Sequence, residues 1–100
     1  MKFLTLHSEA RLELDNAVAY YENQSKGLGI RFLSEVERVL RLIQSNPGLA
    51  QRYKQSDFRR YHLQKFPFSI FYSEMEDLTW IISIAHNQRK PDYWIQRRIE

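Results

Sequence analysis

Hydrophobic positions along the chain fall into two spacings, and each spacing predicts an element. Ala10, Leu14, Ala17, Val18 and Tyr21 recur as one stripe of a helix, which predicts a helix from about Glu9 to Asn23. Ser8 stands where an N-cap belongs, with Glu9 in the first turn to meet the helix dipole. Phe32, Leu33, Val36, Leu40 and Ile43 mark a second helix that runs to about Ser45. Gly27 suits the left-handed conformation that ends helices, and Asn46-Pro47-Gly48 stops the second, because a residue before proline leaves the helical region. So short a link predicts an antiparallel helical pair. Its polar positions, Glu13, Asp15, Glu22, Glu35, Glu37, Arg38 and Arg41, read as a solvated face.

Phe66 to His86 reads differently. Two strand-length runs rich in Ile, Phe, Tyr and Trp flank the acidic Glu74-Met75-Glu76-Asp77, the pattern of a β-hairpin. Both runs are apolar on both faces, so both are central strands with helices over one face. A chain terminus, a bound partner or a substrate groove covers the other. Lys2 to Leu6 reads as a short strand, Gly48 to Asp57 as a loop, and Phe58 to Leu63 as a strand. Its alternation puts Phe58, Arg60 and His62 on one side and Arg59, Tyr61 and Leu63 on the other. Pro91 and Asp92 fit the start of a closing helix to about Arg98, in which Arg97 and Arg98 would complement the C-terminal end and Trp94 would anchor to the sheet.

A chain of 100 residues is one domain (1–100) and can bury roughly two thirds of its unfolded surface. It has no cysteine, and therefore neither disulfides nor a thiolate zinc site. The lack of a long apolar run or a leader-like N-terminus predicts a cytoplasmic protein with no membrane association. The net charge of +3 is carried entirely by residues 51–100, which places any anionic partner on that half. No Ser/His/Asp set, phosphate-binding glycine loop or metal-ligand spacing occurs, so no cofactor and no metal are expected.

Tyr20-Tyr21-Glu22, Gly27 to Leu33, Phe68-Ser69-Ile70-Phe71-Tyr72 and Ile84 to Trp94, in the order β-α-α-β-β-β-α, resemble the RelE/ParE superfamily, the toxins of type II toxin–antitoxin pairs often described as plasmid-stabilisation proteins. The resemblance covers nearly the whole chain. It implies an α+β fold in which the helical hairpin packs on one face of a twisted antiparallel sheet, while the other face carries the activity or meets the antitoxin. It also implies growth inhibition, with a cognate antitoxin as one partner and DNA gyrase, or the ribosome and its mRNA, as the other. RelE-like members cut mRNA on the ribosome, whereas ParE-like members inhibit gyrase without cleavage. Fold alone does not choose between them. A toxin-like domain reduced to a binding module, and assembly as a homodimer or as a hetero-oligomer with the antitoxin, also stay open.

Set against that resemblance, Arg60, His62 and Arg89 fall where target- or phosphate-binding residues would be, and His86 and Tyr93 where a proton-transfer group would be. If the chain is an enzyme, it is a metal-independent endoribonuclease. Two positions depart from the nuclease pattern: Ser69 stands where an arginine is usual, and Asn87 where a second basic residue follows the last strand. Both losses weaken phosphate stabilisation.

Overall fold

The computed structural model describes residues 2–98. Strand β1 (Phe3–Leu6) leads into helix α1 (Ser8–Gln24), and a short link leads to helix α2 (Leu28–Ser45). The N-cap of α1 is His7, not Ser8: its Nδ1 accepts a hydrogen bond of 3.0 Å from the Glu9 amide. An imidazole acceptor satisfies an orphan helix amide as a hydroxyl would. At the link, Gly27 takes φ +87°, as expected. Glu22, read from sequence as solvated, reaches from the last turn of α1 to the start of α2, where its carboxylate accepts from the Gly27 and Gly29 amides at 2.9 and 3.0 Å. A negative group suits that end of the helix dipole. The helices touch at Gly29, where a Cβ would lie 2.5 Å from the Val18 carbonyl oxygen.

After α2 come a 3-10 turn (Pro47–Leu49) and strands β2 (Gln51–Arg52), β3 (Arg59–His62), β4 (Phe68–Glu74) and β5 (Leu78–His86). The segment expected as a plain loop therefore contains a turn of helix and a short edge strand. The sheet order is β1-β5-β4-β3-β2. The hairpin is β4 and β5, closed by a 2.8 Å bond from the Met75 amide to the Leu78 carbonyl. The sheet is mixed and not wholly antiparallel, because β1 runs parallel to β5 from Phe3 opposite Leu78 to Leu6 opposite Ile81. Phe71 pairs with Ser83 but Tyr72 with Ile81, which leaves Ile82 as the extra residue of a β-bulge.

The bulge divides the apolar side chains of β5 between two cores. Ile81 and Ile84 join Ile70, Tyr72, Phe32, Val36, Val39 and Ile43 under the helices, and Phe32 sits in a ring cluster with Tyr21, Phe66 and Phe68. Trp80, Ile82 and Ala85 join Phe71 and Trp94 on the other face, with Tyr53 and Phe58 packed around them. Of the covers left open by the sequence, it is the chain's own C-terminal segment that packs on this second face. Trp94 is its centre, 4.5 Å from Phe71 and 5.1 Å from Phe58 between ring centroids. Its role as an anchor agrees with the sequence; the helix expected to carry it does not form. Residues 91–96 are successive turns with bonds from Ile95 N to the Asp92 oxygen and from Arg97 N to the Trp94 oxygen, both 3.0 Å. Asp92 holds φ +64°, which breaks a right-handed helix at its first turn.

Candidate functional site

The bare rim of the second face is built from the end of β3, the start of β4 and the loop after β5. Register sets Arg60 opposite Phe71 and His62 opposite Ser69, and Ser69 opposite Ala85 on the far side. With alternating directions along β3, Arg60 and His62 point to this face, while Arg59 turns away to donate to the Ala50 carbonyl at 2.6 Å. The Arg60 guanidinium stands 5.7 Å from the Tyr53 ring centre and 5.6 Å from that of Phe71, over their electron-rich faces.

Ser69 is the hub. It is buried, and its hydroxyl donates to Asn87 Oδ1 at 2.7 Å. His62 Nδ1 is 3.0 Å away and Arg60 Nε 3.5 Å. One hydroxyl has one proton, so donation to Asn87 requires His62 to carry its proton on Nδ1 and donate it to the serine. The neutral ring then offers Nε2 as an acceptor. Burial, and after it the positive charge of Arg60, holds the His62 imidazole below its ordinary pKa and favours that neutral form. The Asn87 amide bonds the Pro67 carbonyl at 2.8 Å and so ties the last loop to the start of β4.

His86 ends β5 on the opposite alternation. Its ring packs edge-on to Phe68 at 5.1 Å, and its Nδ1 accepts from the Gln88 amide at 3.0 Å. Arg89 lies over the Tyr93 ring, 3.9 Å from its centre. The Tyr93 hydroxyl donates to Glu13 Oε2 in a short bond. Burial, and then that bond to the carboxylate, raises the phenol above its usual pKa and keeps it protonated. Arg60, His86, Arg89 and Tyr93 all border one cleft of about 90 Å³. His62 lies outside it, in an adjoining depression of about 470 Å³ shared with Arg52, Lys54 and Arg60. On the wall of the smaller cleft Asp92 accepts from Tyr53 at 2.7 Å and Lys54 at 2.8 Å, and these two partners, lysine first, hold the carboxyl below its ordinary pKa.

Glu13 and Arg97 were misplaced by the sequence reading. Glu13 is not solvated: both its oxygens meet Arg97, at 3.1 and 2.9 Å, and both side chains are largely buried. Arg97 complements no helix end but donates instead to the Ile82 carbonyl at 2.9 Å. A signal existed for Glu13, which falls between Ala10, Leu14 and Ala17 at helical spacing and so lies within the apolar stripe. Among the described residues no three His, Cys, Asp or Glu converge as metal ligands, and no helix is long and apolar enough to cross a membrane.

A small α+β domain with a helical hairpin on one sheet face and a cationic rim on the other defines the class of protein. The fold is that of a solved chain from the "Chromosomal ParDE TA system from P. aeruginosa", with a TM-score of 0.63 and 19% identity over 86% of this chain and 96% of that one. Residues 4–91 match the family described as "ParE toxin of type II toxin-antitoxin system, parDE". The chain belongs to the ParE toxin family of type II toxin–antitoxin systems. A search of curated proteins returned no match.

Proposed function

We propose that this chain arrests growth in the cytoplasm by binding DNA gyrase, that it does so without cutting RNA, and that a cognate antitoxin neutralises it. The observation that carries this reading is the Ser69 hub. Metal-free RNA cleavage needs cations at the scissile phosphate and a group free to move a proton. At the middle of this rim stands a neutral hydroxyl already committed to Asn87, His62 and Arg60. The Tyr93 proton is committed to Glu13, and His86 Nδ1 to a backbone amide. Arg60, His62 and Arg89 then serve as contact residues for the target, with His86 and Tyr93 as their supports.

RNA cleavage on the ribosome is the second reading, and the convergence of Arg60, Arg89 and His86 on one cleft is what favours it. Induction of the protein alone, with DNA supercoiling and translation assayed separately, tests the choice. The proposal expects supercoiling to change first while translation continues. Codon-positioned cuts in ribosome-bound mRNA would overturn it.

A further inference from the structure

We infer that Glu13, on the first helix, is a positioning residue for the rim: through Tyr93 it fixes the segment after β5 so that Arg89 lines the same cleft as Arg60. This rests on the reading of the rim as the target-binding surface, and it adds how that surface is held in place.

Strand β1 stops pairing at Leu6 opposite Ile81, so the edge of β5 beyond it presents backbone groups that no strand meets. Two side chains meet them. Glu13 Oε1 accepts from the Ile84 amide at 3.0 Å, and Arg97 donates to the Ile82 carbonyl at 2.9 Å. The same carboxylate takes the Ser83 hydroxyl at 3.1 Å, the Arg97 guanidinium and the Tyr93 hydroxyl. The bulge at Ile82 helps bring Ser83 within this reach. Glu13 is thus fixed by the sheet edge and the Arg97 fork, and what it fixes in turn is Tyr93.

Arg89 needs that fixing. Residues 87–98 form neither helix nor strand, and Arg89 itself is exposed on a turn. Its guanidinium lies 3.9 Å from the centre of the Tyr93 ring, whose other near cation is Arg97 at 5.3 Å. The attraction between a cation and a ring at an exposed site is weak, so it can place Arg89 only if the ring is held by something else. The hydroxyl at the far end of that ring, donated to Glu13, holds it.

The test reads the Arg89 side chain directly. In the ¹⁵N-labelled protein the Arg89 Nε–H resonance, assigned with Arg89→Ala, should carry the ring-current shift of a guanidinium stacked on Tyr93. Glu13→Ala should abolish that shift and lower growth inhibition to the level of Arg89→Ala. Glu13→Gln keeps a single acceptor oxygen: with that oxygen on the Ile84 amide, its NH2 faces the Tyr93 hydroxyl, which can then only accept, so this variant should recover the shift and the inhibition in part. If Glu13→Ala does not fold, Tyr93→Phe, which removes only the hydroxyl, takes its place with the same expected loss of shift. An unchanged Arg89 resonance in folded Glu13→Ala or in Tyr93→Phe overturns the inference. Full growth inhibition by Arg89→Ala overturns the reading of the rim instead, and the resonance alone then decides the role of Glu13.

Discussion

The Ser69 hydroxyl donates to the Asn87 side-chain oxygen across 2.7 Å, so the two positions that depart from the nuclease pattern are partners of each other. The two losses are therefore one structural arrangement. A serine short enough to stay buried between His62 and Asn87 pins the loop after β5 to β4, and the cations Arg60 and Arg89 line the cleft nearby.

Ser69→Ala should leave Asn87 Oδ1 and His62 Nδ1 without their shared partner. Both partners belong to exposed residues that water can reach, so the expected cost is that of a lost hydrogen bond, about 0.5 to 1.5 kcal/mol. Urea unfolding checks it, and an unchanged midpoint would show that the hub contributes nothing to stability.

Gly29→Ala should separate the two helices. The added Cβ would meet the Val18 carbonyl oxygen at 2.5 Å and Glu22 at 3.0 Å, and the first of these is backbone that cannot swing aside. Overpacking of this kind costs about 1 to 3 kcal/mol. Thermal unfolding measures the loss, whereas Gly48→Ala, which meets nothing nearer than 3.8 Å, should show no such clash penalty.

Phe32→Ala should be the most damaging truncation in the helical pair. The ring is fully buried and lies 5.0 to 5.1 Å from Tyr21, Phe66 and Phe68, so its removal opens a cavity between both helices and the sheet. The expected loss is about 3 to 5 kcal/mol, a large part of the stability of a domain this size. Denaturant unfolding that matched the parent chain would contradict the core described above.

His62 gives the rim a pH dependence of known sign. Burial and Arg60 depress its folded pKa, so the unfolded ring binds the proton more tightly. Its contribution is fully present above the ordinary imidazole value of about 6.5 and is lost as pH falls through the depressed folded value. NMR titration should therefore place His62 below the ordinary range, and His62→Gln should flatten the stability profile only on the acid side. A titration at or above the ordinary value would contradict the depression by burial and Arg60.

The elements set by local pattern were legible in the sequence. The stripe through Phe32 and Val36 marked α2, Pro47 marked its end, Gly27 the break after α1, and the two-faced hairpin located the middle of the sheet. What the sequence hid depends on residues far apart in the chain. Nothing in Lys2 to Leu6 names β5 as a parallel partner, and Glu13 meets Arg97 across 84 positions. The closing helix failed for a similar reason. Pro91 and Asp92 satisfy a helix start, but Tyr53 and Lys54 capture the Asp92 carboxylate, and the residue takes a left-handed turn. Of the rim, Arg60, His86, Arg89 and Tyr93 were singled out by the resemblance, but their sharing of one cleft and the neutral Ser69 hub depend on the register of β3, β4 and β5.

The most direct test of the central claim is supercoiling by purified DNA gyrase in the presence of the purified chain, run beside the Arg60→Ala/Arg89→Ala variant. The account predicts that the parent chain inhibits supercoiling, that the double variant loses the inhibition while keeping its fold and its binding to the antitoxin, and that neither cuts ribosome-bound mRNA. Equal inhibition by both would remove the rim from the mechanism, and cleavage of mRNA with no effect on gyrase would contradict the account itself.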